Sequence, residues 1–299
     1  MQNFAKLVDL AITPGAEGLR PVIEKEILHY DILFALDREN LLGDLTFQGG
    51  TCLRLCYESP RFSEDLDFVG GFDFSQERLM KIRECVMDHI GARYGLEVDV
   101  KNPKQMSEEK TYWGLKTDRW QVSVTTNAGR ADLPRQKIKL EVANVPARTN
   151  TLRALNRNYS FLPASYQDLL VPSETKHEIM ADKVVSLSAC RHYIRYRDIW
   201  DLQFLKRSKA VMDPSLIADK IRDYQSEDFE TSLAEMRDEV RTIATSETFR
   251  REMIRFIEPD ARARTLDKPG FFEFLGDSVS EILADAYQAL YEPANEFDY

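Results

Sequence analysis

Early in the chain, two short apolar segments flank a glycine pair and a compact helical segment. Residues 45–50 predict a strand that runs into a glycine turn, and residues 51–57 predict one or two turns of helix. Residues 66–69 predict a second strand. Because Gly49 and Gly50 have no side chains, free backbone N–H groups there can approach a phosphate closely. This order of elements therefore predicts an anion-binding turn beside a sheet.

Two aspartates stand at the start of the second predicted strand. Residues two apart in a strand share a face, so Asp65 and Asp67 are expected to direct their carboxylates to the same side. Neighbouring carboxylates repel unless a cation lies between them, and Mg²⁺ prefers oxygen ligands. Glu141 lies on the alternating segment 137–142, on the same face as Lys139, and is the candidate third acid. Two such ions can hold the attacking and leaving oxygens of a phosphoryl transfer.

Each of these features has an ordinary structural interpretation when it occurs alone. A glycine pair is usually a turn, and an Asp-x-Asp sequence is usually a solvated strand end. Their occurrence in one ordered segment is more specific, and Arg61 and Ser63 just before Asp65 strengthen the interpretation. We therefore take this segment as the strongest functional signal in the sequence.

Composition limits the class of protein. The chain has 299 residues, of which 43% are hydrophobic and 30% charged, enough for two domains with packed cores. The net charge of −10 does not favour nucleic-acid binding through bulk electrostatics. The sequence has neither a membrane-length apolar segment nor the pattern of a signal peptide, so we expect a cytoplasmic protein. Four scattered cysteines predict neither a disulfide scaffold nor a zinc site.

The remaining periodicity predicts an α+β fold with two domains. Helices are expected over 21–40 and 76–93, and strands over 96–101, 120–126 and 137–142. A connection over about 144–172 follows, and the pattern is mostly helical from residue 174 to the end. We predict an N-terminal domain with a mixed sheet over 1–155 and a helical C-terminal domain over 156–299.

A second group of charged residues lies in the helical half. Lys183 is followed by Arg195, Arg197, Asp198 and Asp201 among apolar residues of helical period. Taken alone, these charges favour a structural ion-pair network that ties two helices together. When the glycine pair and the Asp-x-Asp sequence are also considered, a catalytic role for Lys183 and Asp198 is favoured. Arg197 and Asp201 are assigned to structure.

Both segments resemble the AbiEii/AbiGii-type nucleotidyltransferase toxins of the DNA polymerase β-like superfamily. The resemblance covers roughly residues 20–210 and rests on the glycine pair, the Asp-Leu-Asp sequence and the later Lys and Arg-Asp-x-x-Asp elements. It implies Mg²⁺ ligands, catalytic residues and contacts to a nucleoside triphosphate. The implied metal ligands are Asp65, Asp67 and Glu141; the implied catalytic residues add Lys183 and Asp198; and the implied nucleotide contacts are Gly49, Gly50, Thr51, Arg54, Ser63 and Lys183.

The acceptor of the nucleotide is less constrained than the reaction. The resemblance implies a toxin paired with an AbiEi-like antitoxin, and it makes an RNA 3′-hydroxyl, above all that of tRNA, the leading acceptor. A small molecule of the antibiotic type and a protein hydroxyl stay open as alternatives, and no membrane partner is expected. The basic residues that could contact RNA are Arg148, Arg153, Arg157, Arg191, His192, Arg195, Arg197, Lys206, Arg207 and Lys209.

Overall fold

Seven strands form one mixed sheet in the computed structural model, which describes residues 1–103, 116–127, 134–190 and 192–292. The strands are β1 Thr46–Gln48, β2 Leu66–Val69, β3 Val98–Lys101, β4 Thr117–Val124, β5 Gln136–Ala143, β6 Thr151–Ala154 and β7 Leu170–Ser173. Their order across the sheet is β3-β4-β5-β2-β1-β7-β6. The β2–β5 and β1–β7 pairs are parallel and the others are antiparallel, so the predicted mixed sheet is confirmed.

Helices lie before and between the strands in chain order, and further helices form the C-terminal part of the chain. The first four are α1 Phe4–Ala11, α2 Arg20–Arg38, α3 Gly49–Tyr57 and α4 Ile82–Tyr94. Those that follow the sheet are α5 Lys176–Ala189, α6 Tyr196–Arg207, α7 Pro214–Asp223, α8 Phe229–Ala244, α9 Glu247–Ile254, α10 Pro259–Ala263 and α11 Phe271–Tyr291. Within the described ranges, none of these helices has the length and apolar composition that crossing a bilayer requires.

The central strands have one apolar face and one polar face, as the alternating sequence predicted. Ile138, Leu140 and Val142 on β5 are fully buried. Leu66 on β2 pairs in register with Leu140, so the two strands direct apolar side chains to the same face. Because side chains alternate along a strand, Glu141 must project from the opposite, partly exposed face. The core therefore lies on one side of the sheet and leaves the other for polar groups.

Two details of the first unit differ from the sequence prediction. The strand predicted over 45–50 ends at Gln48, and the glycine pair instead forms the first turn of α3. The predicted connection over 144–172 contains β6 and most of β7, which forms a parallel pair with β1 at Phe47 and Ser173. Neither strand has a period-2 apolar pattern, and Pro172 disfavours a strand in the sequence, so local signals did not predict them.

The chain divides into two units by its internal contacts. Described residues up to Glu174, together with Phe256–Pro259, form the first unit, and those from Thr175 to Arg255 and from Asp260 onward form the second. The first unit reaches Glu174 because β6 and β7 extend the sheet, whereas the sequence predicted a domain boundary at residue 155. Phe256 returns to the first unit because its carbonyl accepts a hydrogen bond from the N–H of Phe62.

The second unit contains a lysine that is fully buried. Lys220 on α7 lies 2.7 Å from a carboxylate oxygen of Glu178 and 3.1 Å from one of Asp182, both on α5. Tyr224 donates a hydrogen bond to the other oxygen of Asp182. Buried charges are tolerated only when paired, so this cluster fixes α7 against the helix that carries Lys183.

Replacement of Lys220 by Met should destabilise the second unit by about 3–5 kcal/mol, because it leaves buried carboxylates without their cation. Lys206→Met is the matched control, since the Lys206–Glu281 pair has the same 2.7 Å separation but is exposed and should contribute less than about 1 kcal/mol. Chemical denaturation of both variants measures the difference. Equal losses of stability would show that Lys220 makes no special contribution.

Candidate functional site

Four residues in register form a polar row across the sheet. Gln48 on β1 pairs with Asp67 on β2, Asp67 pairs with Glu141 on β5, and Glu141 pairs with Arg119 on β4. Residues paired directly across strands project from the same face, and neighbouring strands lie about 4.8 Å apart. Two of the three predicted metal ligands, Asp67 and Glu141, are thus brought side by side on the partly exposed face.

The glycine pair allows two close approaches to this row. Gly49 has φ +75°, and a Cβ atom there would lie 2.7 Å from Oδ2 of Asp67. A Cβ atom on Gly50 would lie 2.5 Å from a guanidinium nitrogen of Arg61 and 2.9 Å from Oγ of Ser63. Any side chain would therefore displace the carboxylate at the first position and the Arg61–Ser63 segment at the second. The first turn of α3 lies directly against the Asp67 carboxylate.

Asp65 lies just before β2 and is held by two hydrogen bonds. Its Oδ1 accepts a hydrogen bond of 2.9 Å from the backbone N–H of Lys139 on β5. Its backbone carbonyl accepts one from the hydroxyl of Thr51 on α3. Thr51, a predicted nucleotide contact, is buried and thus also positions the metal-ligand segment. The two contacts connect Asp65 to both elements that frame the site.

Helix α2 supports the same segment from a position that the sequence analysis missed. Nε2 of His29 lies 3.0 Å from the carbonyl oxygen of Glu64, and the ammonium of Lys25 lies 2.9 Å from the Glu64 carboxylate. Burial lowers the pKa of His29 to about 4, so the imidazole is neutral at pH 7 and its Nε2–H donates to that carbonyl. A lone histidine on an apolar helix gave no signal that it would lie beside the Asp65 segment.

Arg54, a further predicted nucleotide contact, is engaged inside the first unit. Its guanidinium donates to both carboxylate oxygens of Glu26, at 2.7 and 3.2 Å, and to the carbonyl of Ser59 at 3.2 Å. It also stacks over the ring of Phe62 at 4.3 Å. These contacts brace the loop that leads to Ser63, and a direct contact of Arg54 with a nucleotide stays a prediction.

Glu141, the predicted third acid, forms an ion pair with a neighbouring strand. Nε of Arg119 lies 2.6 Å from its Oε1, and the side chains are 22% and 27% exposed, respectively. The pair is within reach of solvent, so a ligand that approaches this face of the sheet can meet either side chain. Asp65, Asp67 and Glu141 offer only carboxylate oxygens, the donor set that suits Mg²⁺.

Lys183 and Asp198 belong to the second unit, where they contact each other. The ammonium of Lys183 on α5 lies 2.6 Å from Asp198 and 3.2 Å from Asp201, both on α6. Asp198 also accepts hydrogen bonds from Ser186 and Arg195. Burial alone would raise the pKa of Asp198, but Arg195 and Lys183 outweigh it and hold the pKa well below its ordinary value. The expected ion-pair network therefore exists, and it includes both residues predicted to be catalytic.

The basic residues considered as RNA contacts differ in their surroundings. Arg153 donates to the carbonyl of Cys56, and Arg157 donates to that of Leu162, so both hold the first unit together. Arg207 and Lys209 are exposed on the second unit. Arg191 lies outside the described residues.

The sheet carries two neighbouring carboxylates beside a glycine-led helix, and comparison with known protein families identifies the class of protein. Residues 31–292 match the family described as nucleotidyl transferase AbiEii toxin, Type IV TA system. The chain belongs to this family. It is therefore a nucleotidyltransferase and a toxin of a type IV toxin–antitoxin pair, and the family implies an antitoxin partner. A comparison with curated proteins finds no match.

Two solved structures are similar to this chain at low sequence identity. The chain is similar to MenT4, a nucleotidyltransferase toxin of Mycobacterium tuberculosis H37Rv, with 20% identity and a TM-score of 0.55, covering 97% of this chain and 99% of that one. It is also similar to a candidate nucleotidyltransferase from Helicobacter pylori, with 16% identity, a TM-score of 0.49, and coverage of 92% and 98%. The first likeness supports the predicted fold class.

Gly49→Ala should abolish most nucleotidyl transfer, because the new methyl group would collide with the Asp67 carboxylate. Gly71→Ala is the matched control: Gly71 also has a positive φ, of +82°, but no atom would lie within 4 Å of its Cβ. An alanine at either position adopts a positive φ, which costs about 1–2 kcal/mol of stability. Chemical denaturation of both variants measures this cost. Only the first should lose activity, and equal activities would contradict the proposed close approach.

Acidification should destabilise the wild type through His29. Between its ordinary pKa of 6.5 and the folded value of about 4, the unfolded chain binds a proton that the folded chain excludes, so stability falls as the pH drops through this window. The full effect is about 3 kcal/mol. In His29→Gln, whose amide still donates but does not titrate, urea unfolding should show a shallower pH dependence. His192→Gln, at an exposed histidine, should retain the wild-type slope.

Proposed function

We propose that this enzyme transfers a nucleoside monophosphate from a nucleoside triphosphate to the 3′-hydroxyl of an RNA, with tRNA as the leading acceptor. The reaction requires Mg²⁺ and takes place in the cytoplasm. The observation that carries the proposal is the in-register pair of Asp67 and Glu141 beside Gly49. This pair provides anionic oxygen ligands next to a helix N-terminus, where the backbone favours phosphate.

Asp65, Asp67 and Glu141 would hold the metal, and the structure offers a test of fit. All three supply carboxylate oxygens, two are neighbours in the sheet, and Gly49 leaves room that a Cβ atom would fill. When bound, Mg²⁺ would neutralise charge on the phosphates and align the reacting oxygens. The chemistry of these donor atoms therefore supports the proposal of a magnesium site.

The other predicted residues are given the roles that the resemblance to the family implies. The N–H groups of the first turn of α3, with Gly49, Gly50 and Ser63, would bind the triphosphate. Thr51 would keep Asp65 in place through its carbonyl. Lys183 would offset the negative charge that develops on the leaving pyrophosphate, and Asp198 would orient its ammonium through their 2.6 Å contact.

The choice of RNA as acceptor rests on the family and on charge. The exposed cations Arg207 and Lys209 provide local positive charge on a chain with net charge −10. An AbiEi-like antitoxin is the proposed partner, and a type IV pair can operate without a lasting complex between the two proteins.

The reaction can be followed with each of four α-labelled nucleoside triphosphates, Mg²⁺, total RNA and a protein extract. We expect label in RNA of tRNA size. The label should remain in the RNA when its 5′ end is removed, and RNA whose 3′-hydroxyl is oxidised before the reaction should take up no label. Asp65→Asn and Asp67→Asn should each lower the rate about a hundred- to a thousandfold, the range seen when one group that stabilises transition-state charge is removed. Asp99→Asn, at a partly exposed aspartate on β3, should leave it unchanged.

Two results would redirect this proposal. Label in protein or in a small-molecule fraction, with RNA unlabelled, would replace the RNA acceptor with a protein hydroxyl or an antibiotic-type substrate. Activity retained by both aspartate variants would reject the metal assignment itself.

A further inference from the structure

Arg119 is a cation that lies at the proposed metal site. It stands on β4 directly opposite Glu141, and its Nε lies 2.6 Å from the Glu141 carboxylate. On its other side, Glu141 has Asp67 as its in-register neighbour. Glu141 therefore lies between a carboxylate that repels it and a guanidinium that attracts it.

The electrostatics of this row require a positive charge. Two carboxylates on adjacent strands repel, and the repulsion destabilises the sheet unless a cation offsets it. Arg119 supplies that charge from within the chain. Because both members of the ion pair are partly exposed, the guanidinium can move into solvent without the loss that a fully buried partner would cause.

We propose that Arg119 competes with the divalent cation for Glu141 and thereby sets the cation concentration at which the site is filled. Without metal, the guanidinium neutralises Glu141 and stabilises the paired carboxylates. When metal binds, Glu141 exchanges the guanidinium for the ion, and Arg119 is released towards the partly exposed face of the sheet. This inference rests on the proposed function, since it assumes that Glu141 is a metal ligand.

The competition predicts opposite effects on stability and on metal affinity. Arg119→Gln should lower the melting temperature in EDTA, because Glu141 then loses its ion pair with the guanidinium while Asp67 stays its neighbour. The same variant should bind Mn²⁺, used alone as the probe, about two- to fivefold more tightly, the change expected for loss of a partly exposed ion pair. A variant that simply damaged the fold would weaken both properties.

Mn²⁺ binding to the full chain is measured by electron paramagnetic resonance, without nucleotide. Arg119→Lys keeps the charge and should bind Mn²⁺ nearly as the wild type does. Arg135→Gln is the matched control, because Arg135 and Glu97 form a 2.7 Å ion pair about 20 Å along β5 from Glu141. It should leave Mn²⁺ affinity unchanged.

A double-mutant cycle makes the test specific to Glu141. In a Glu141→Gln background, Arg119→Gln should no longer change Mn²⁺ affinity, because the group for which it competes is absent. Unchanged or weaker binding by Arg119→Gln would overturn the inference, and so would an equal gain in the Glu141→Gln background. If wild type and Asp67→Asn bind Mn²⁺ equally, the metal site of the proposed function fails, and the inference fails with it.

Discussion

The repulsion between Asp67 and Glu141 is the constraint on which the site depends. Parallel pairing of β2 with β5 places these carboxylates on adjacent strands, and the buried partners on the opposite face fix the register. A shift of β5 by one residue would turn Glu141 towards the core and expose Leu140. Burial of the apolar face of the sheet therefore fixes the strand register that keeps the two carboxylates adjacent, despite their repulsion.

Support for this arrangement comes from four separate elements. Gly49 allows α3 to approach Asp67, Thr51 holds the Asp65 carbonyl, His29 holds the preceding carbonyl, and Arg119 offsets the charge of Glu141. Most of these contacts involve backbone atoms, so they position the chain without neutralising Asp65 and Asp67. Such preorganisation is what a site needs if it must bind a cation and a polyphosphate with little rearrangement.

Local sequence patterns predicted the parts of the site that depend on short spacing. The period-2 alternation of β5 placed Glu141 opposite the apolar face, and the Asp-x-Asp spacing marked the start of β2. His29 and Arg119 were missed because their roles depend on which elements pair over long range, which no short window contains. Arg54 has a partner that its place in the motif did not reveal, since Glu26, on α2, engages its guanidinium. Strand β7 was hidden for the same reason, since its parallel pairing with β1 joins distant segments.

The ion pairs of the second unit show why structural and catalytic roles need not be alternatives. Lys183, Arg195, Asp198 and Asp201 sum to zero charge, so the network is balanced without any ligand. Asp198 keeps its negative charge because Arg195 and Lys183 hold its pKa low. An aspartate that stays ionised while buried can hold a lysine in a fixed orientation, and a fixed ammonium loses less entropy when it meets an anion than a mobile one does. The ion pairs that stabilise the second unit are thus the same contacts that fix the orientation of Lys183.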